Sequence, residues 1–280
     1  MKKKLFFAPA FLFALIASVT AQQPMKHEDT EFYTPIPPVV TPGKSCGDAP
    51  SDAIILFNGN NLDKWVLAND TTKPADWIVK NGIVTVKKTS GNIQTKQSFM
   101  DYQLHIEWHI PAEFAQLPGN SPDFHKSRLP GDTDKVNTGQ ARGNSGLFLA
   151  SIGKGDAGYE MQILDNYNNS TYTNGQAGSI YKQNAPLVNA NFPPGVWQSY
   201  DVIWTAPRFN DDGTLKTPAK ITAFFNGILV QNNFELKGTT RYVGLPNYEG
   251  AAHGAAPIKL QAHGDKSKPI SFRNIWVRNL

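Results

Sequence analysis

Glu160 and Gln162 alternate with Met161 and Ile163 in the stretch GYEMQIL, residues 158–164. Successive side chains of a β-strand take opposite faces, so this pattern buries Met161 and Ile163 and sets a carboxylate beside an amide on the other side. Other runs repeat the habit. In YQLHIEWHI, Leu104, Ile106, Trp108 and Ile110 share one parity and His105, Glu107 and His109 the other. In IKLQAHG, Ile258, Leu260 and Ala262 point one way and Lys259, Gln261 and His263 the other. In RGNSGLFL, Leu147 and Leu149 turn inward, with Arg142 and Asn144 at the start of the run. Off their core faces, these four strands carry Glu, Gln, His, Asn and Arg, with few of the Lys, Ser and Thr residues of a merely solvated sheet. That composition predicts a polar ligand cleft. A sheet with one ordinary wet face is the plain alternative.

Several chemistries can be weighed on these residues. His105, Glu107 and His109 could contribute metal ligands, but positions i and i+4 of a strand lie roughly 13 Å apart. One ion could then take a pair from this strand plus a neighbour's residue, and a divalent metal stays open. A two-carboxylate glycosidase needs its carboxyl groups about 5–5.5 Å apart when retaining and wider when inverting. Gln162 and Leu164 stand two and four places after Glu160, and Asp165 has the wrong parity. That mechanism would therefore need Glu107 to face Glu160 from another strand. Ser145 follows Gly-Asn and is not set in a Gly-x-Ser-x-Gly elbow. No phosphate-loop or dinucleotide fingerprint occurs, so the sequence requires no cofactor.

Such side chains need a scaffold, and the scaffold is β. Short runs rich in β-branched and aromatic residues are separated by turn signals, among them Asn81-Gly82 and Asn226-Gly227 between alternating segments. Helical periodicity is nearly absent. Many short strands without helices predict an all-β, two-sheet sandwich or jelly roll. The stretch from Ala112 to Gly143 has no sustained period and is read as a long functional loop.

Ahead of the scaffold lie two further segments. Lys2, Lys3 and Lys4 precede an apolar run from Leu5 to Val19, and small residues lead to a cleavage point after Ala21. Residues 1–21 thus read as a signal peptide, giving an exported protein, periplasmic or secreted, with no membrane insertion after cleavage. Residues 22–51 are polar and proline-rich, the composition of an extended linker, and 52–280 are the folded domain. Three of the 27 Lys and Arg residues sit in the leader, so the rest is close to neutral against 23 Asp and Glu. Such a balance excludes a nucleic-acid partner that relies on a basic stripe. The lone Cys46 cannot form an internal disulfide.

Taken together, LFNGNNLDKW, GNIQTKQSFMDYQLHIEW, RGNSGLFL, YEMQILDNYNN, GQAGSIYKQNAPLVNA, PPGVWQSYDVIW and KLQAHGDKSKPISFRNIWVRNL resemble the 3-keto-disaccharide hydrolase family. The resemblance runs from about Asp52 to Leu280 and implies a concanavalin- or laminin-G-like jelly roll of two curved antiparallel sheets. It implies a small carbohydrate substrate whose 3-hydroxyl a separate sugar 3-oxidoreductase has already turned into a ketone. The ketone acidifies C2–H, a base removes that proton, and the C1 substituent leaves by elimination. Carried onto this chain, the resemblance makes His263, Glu160 and Glu107 catalytic. Arg142, Asn144, Gln162, Asp165, Tyr181 and Gln261 become substrate-binding. Histidine ordinarily titrates near pH 6.5 and suits proton transfer. One departure stands out: Ala262 occupies a place where an Asp would be expected to orient the histidine. A carbohydrate-binding module using the same face without turnover is the alternative from another functional class.

Overall fold

The two Asn-Gly pairs do turn hairpins. Asn81 and Gly82 take φ of 53° and 79°, and Asn226 and Gly227 take 50° and 78°. These left-handed values match the twist of the flanking strands. The computed structural model describes residues 34, 36–112, 143–167, 171–264 and 267–280. Residues 1–33, which include the expected signal peptide, residue 35, and Arg142 with nearly all of the long stretch before it lie outside the described residues.

Strands are numbered along the chain: β1 Ile54–Phe57, β2 Trp65–Leu67, β3 Ile78–Lys80, β4 Ile83–Thr85, β5 Ile93–Phe99, β6 Tyr102–His109, β7 Asn144–Ser151 and β8 Gly158–Leu164. They continue with β9 Trp197–Thr205, β10 Arg208–Phe209, β11 Leu215–Thr217, β12 Lys220–Phe225, β13 Ile228–Glu235, β14 Ala256–Leu260 and β15 Ser271–Asn279. One sheet runs β13-β12-β9-β6-β15-β4-β3, with β1 also on β15, and the other runs β2-β5-β14-β7-β8. A short β10-β11 ribbon stands apart. The strand pairings within these sheets are antiparallel. The chain is the expected all-β jelly-roll sandwich.

Inward side chains of both sheets make the core, including Trp65, Tyr102, Leu104, Trp108, Tyr159, Met161, Ile163, Tyr200, Trp204, Ile258 and Leu260. Each large apolar side chain so buried contributes about 1.5–3 kcal/mol. Two core phenols also tie the sheets together. Tyr102 donates to the Leu149 carbonyl at 2.6 Å, and Tyr200 donates to the Gln162 carbonyl at 2.7 Å. A buried tyrosine hydroxyl needs such a partner, and here it lies on the opposite sheet.

Packing also reaches into the segment read as linker. Residues 40–280 form one compact unit. The Gly47 carbonyl accepts bonds from Asn274 Nδ2 at 2.9 Å and Trp276 Nε1 at 2.8 Å, which clip it to β15. Composition alone hides this, because the bonds use the Gly47 main chain.

Candidate functional site

β7, β8 and β14 lie side by side, and their outward residues meet. Asn144, Glu160, Gln162, Gln261 and His263 line one cavity of about 260 Å³ with Asp156, Tyr181, Thr240 and Tyr242. The alternation read from β8 holds, because Tyr159, Met161 and Ile163 enter the core and Glu160 and Gln162 face the cavity. Its polar face is not openly wet, however. Glu160 and Gln162 are each 5 % exposed. The chain after β8 folds back over the strand: Tyr181 N–H donates to the Glu160 carbonyl at 3.0 Å, and Gln162 N–H donates to the Ser179 carbonyl at 2.9 Å.

Burial sets the chemistry of Glu160. Loss of water, and then the neighbouring Asp156 charge, push its carboxyl up to about 8 against the opposing pull of Lys259. Beneath it lies Gly146, where a methyl group would collide with Glu160 Oε1. Turning the Gln162 amide so that its nitrogen faces Glu160 lets it donate to Oε1 at 3.1 Å and to the Ser145 carbonyl at 3.2 Å. The opposite orientation offers only a 3.4 Å bond to Asn144 Oδ1. Asn144 Nδ2 lies 3.3 Å from His263 Nε2. Gln261 Oε1 is buried and has no hydrogen-bond partner among the described residues, so it is a ready acceptor for a ligand hydroxyl. On another wall, the Tyr172 and Tyr181 hydroxyls share a 2.7 Å bond, and burial raises both phenols.

Two expected site residues stand elsewhere. Glu107 is on β6, in the other sheet, so it does not face Glu160 across a cleft. Alternation put it correctly off the core, but pairing decides the sheet, and β6 pairs with β9 and β15. Glu107 accepts from Arg273 Nε at 2.6 Å and from Asn274 Nδ2 at 2.8 Å. Burial opposes its charge, yet its bonds to His105, Asn274 and Arg273 prevail and hold it down at about 2. Asp165 follows β8, its Oδ1 accepts from Tyr167 N–H at 3.0 Å, and it is not among the described residues that line the cavity. Arg142 lies outside the described residues.

The metal candidates on β6 are likewise occupied by protein. His105 Nδ1 is 2.6 Å from Asp201 Oδ1, and His109 packs its ring on Trp197 at 5.1 Å. Burial disfavours the His105 cation, but the Asp201 and Glu107 carboxylates outweigh it and raise it to about 9. Among the described residues no three His, Cys, Asp or Glu side chains converge as an ion site. His105 and Glu107 line a separate hollow of about 400 Å³ with Trp197, Asp201 and Arg273, and exposed Cys46 also lines it.

Sequence patterning missed Asp156, Thr240 and Tyr242, because loops bring them in. Lys259 was visible on the outward parity of β14 beside Gln261 and His263, and its position among site residues was the available signal.

The family model of the 3-keto-alpha-glucoside-1,2-lyase-like domain matches residues 52–278. No curated protein matches the chain. A crystal structure from Parabacteroides distasonis ATCC 8503, provisionally named a glycosyl hydrolase, is 47 % identical; the match covers 93 % of this chain and 99 % of that one, with a TM-score of 0.77. A second protein so named from the same organism is 19 % identical over 81 % of this chain and 94 % of its own, with a TM-score of 0.53, and shares the fold. This chain belongs to the 3-keto-alpha-glucoside-1,2-lyase-like domain family.

Proposed function

We propose that the protein is an exported carbohydrate-active enzyme that cleaves 3-keto-glycosides by elimination. The observation that carries this is the buried Glu160 carboxyl, raised to about 8 in a cavity walled by amides, phenols, a threonine, a histidine and Asp156. A base of that strength is matched to an acidified C–H near neutral pH, where an ordinary carboxylate is too weak. Family membership supports the same substrate class.

The steps balance. Glu160 takes the C2 proton, and the electron pair delocalises onto the 3-keto oxygen. That pair then forms the C1=C2 bond as the C1–O bond breaks. His263, on the same cavity, supplies a proton to the leaving oxygen. Water adding to the enone at C1 completes net hydrolysis. Gln162, Asn144 and Gln261 bind the sugar and stabilise the developing enolate by hydrogen bonds. The ketone must come from a separate oxidoreductase acting on the 3-hydroxyl.

One observation favours a second mechanism: Asp156 lines the same cavity and could complete a carboxyl pair with Glu160. The test is aglycone release from a glucoside and its 3-keto form. Elimination expects turnover of the keto form alone; equal rates on both would replace it with the two-carboxylate route. Tight binding of sugar without turnover of either would mark a binding module.

A further inference from the structure

Lys259 is fully buried and has no part in the chemistry above. It sits on β14 between Ile258 and Leu260, which enter the core, and its Nζ lies 5.1 Å from the centre of the Phe148 ring. Three main-chain carbonyls meet the amine: Gly153 at 3.1 Å, Gly155 at 2.9 Å and Ala157 at 2.9 Å. Alternate carbonyls of the β7–β8 connection thus curl round one nitrogen and use all three donors of an ammonium group. The same connection is pinned from outside. Gly155 N–H donates to Asn69 Oδ1 at 2.9 Å, and Asn92 Nδ2 donates to the Gly155 carbonyl at 3.0 Å and to Asp156 Oδ1 at 2.9 Å. Asn92 is itself fixed, since its Oδ1 accepts the Ala262 N–H at 2.8 Å. The glycine-rich run SIGKGDAG would otherwise make a mobile hairpin tip. Here it delivers the Asp156 carboxylate to the cavity wall.

We infer that Lys259 is an internal cation around which loop 153–157 is wound, a positioning residue that holds Asp156 where it takes a hydroxyl of the bound sugar. This rests on the functional reading for the sugar, but not for the loop. Without the cation, three carbonyl dipoles would converge with no donor between them, and the loop would have to open for water to satisfy them. Lys259 also faces Glu160 and Asp156, so its loss removes a positive charge that opposes the rise of the Glu160 carboxyl.

The test uses the full chain with Lys259→Ala and, where stem volume is needed for folding, Lys259→Met. Amide exchange of residues 153–157 should accelerate about tenfold or more, as expected of a locally freed loop. Turnover of a 3-keto-glucoside should fall up to about 10²-fold, the cost of a misplaced site group. n-Propylammonium replaces the atoms removed by Lys259→Ala and should restore protection and turnover; n-propanol, of similar size and neutral, should restore neither. Unchanged exchange in both variants, or equal rescue by n-propanol, overturns the inference. Exchange needs no substrate, so it decides on the loop even where wild-type protein processes no keto-sugar, an outcome that strikes the functional reading instead.

Discussion

Glu160 and Glu107 stand on strands of the two facing sheets, each on the outward parity of an alternating run. By sequence they are equivalent. In the structure, one carboxyl is raised to about 8 and the other lowered to about 2. Burial opposes ionisation of both, so burial alone does not separate them. Partners do. Glu107 receives an arginine, an asparagine and a histidine from its own and the adjacent strand. Glu160 has amides and phenols around it, a second carboxylate nearby, and a lysine whose three bonds go to loop carbonyls. A paired carboxylate holds structure together, and an under-paired one is poised to exchange a proton.

Substituting each glutamate by glutamine should expose this contrast, beginning with the larger effect. Glu160→Gln keeps shape and removes the exchangeable proton. It should cut turnover of a 3-keto-glucoside by about 10²-fold or more. Near pH 7 the folded carboxyl is mostly protonated but the unfolded one is ionised, so the variant should melt above wild type there, not below it. Melting and single-turnover elimination, measured on one sample, check both; early melting with normal turnover would make Glu160 structural.

A pH series sharpens the comparison further. As a base, Glu160 should give a rate that rises about tenfold per pH unit and levels off near pH 8. A general acid with the same carboxyl would hold its rate below about pH 8 and lose it above. Stability follows the same proton. A carboxyl raised in the fold contributes stability that is fully present below about pH 4.5 and is lost as pH rises through about 8. Wild type should therefore lose melting temperature relative to Glu160→Gln between those limits. Parallel melting curves for the two chains would contradict the raised carboxyl.

The contrast also explains what patterning could reach. Alternation identified the core faces of β6, β8 and β14, and Asn-Gly located two hairpins, because each depends on residues close together in the chain. Sheet membership depends on pairing between distant strands, such as Arg273 opposite Glu107, so the outward faces of β6 and β8 looked like one surface. Asp165 lies just past the end of β8, where alternation no longer says which way a side chain turns, and its Oδ1 accepts the Tyr167 N–H. Asp156, Thr240 and Tyr242 carry no periodic signal. Thr240 comes to the site by two bonds to β8, its hydroxyl accepting the Glu160 N–H at 2.9 Å and its N–H donating to the Gly158 carbonyl at 2.8 Å, which nothing in the TTRYVG run foretells.

The smallest expected effect belongs to Glu107→Gln, and it falls on stability alone. Glutamine keeps an acceptor for Asn274 or Arg273 but loses the charge that both Arg273 and His105 face. Arg273 remains stacked on Trp197, 4.1 Å from the ring centre, and its side chain is 42 % exposed, so water compensates part of the loss. The cost should be about 1–2 kcal/mol, between a surface pair and a buried one. It should also depend on pH. His105 is raised to about 9 by Asp201 and Glu107 against burial, so its contribution is fully present below about pH 6.5 and lost as pH rises through about 9. The melting deficit of Glu107→Gln should therefore be largest near pH 6 and shrink towards pH 9, while turnover on a 3-keto-glucoside stays at the wild-type value. A variant that melts normally and fails to turn over would return Glu107 to the chemistry and undo the division between the two faces.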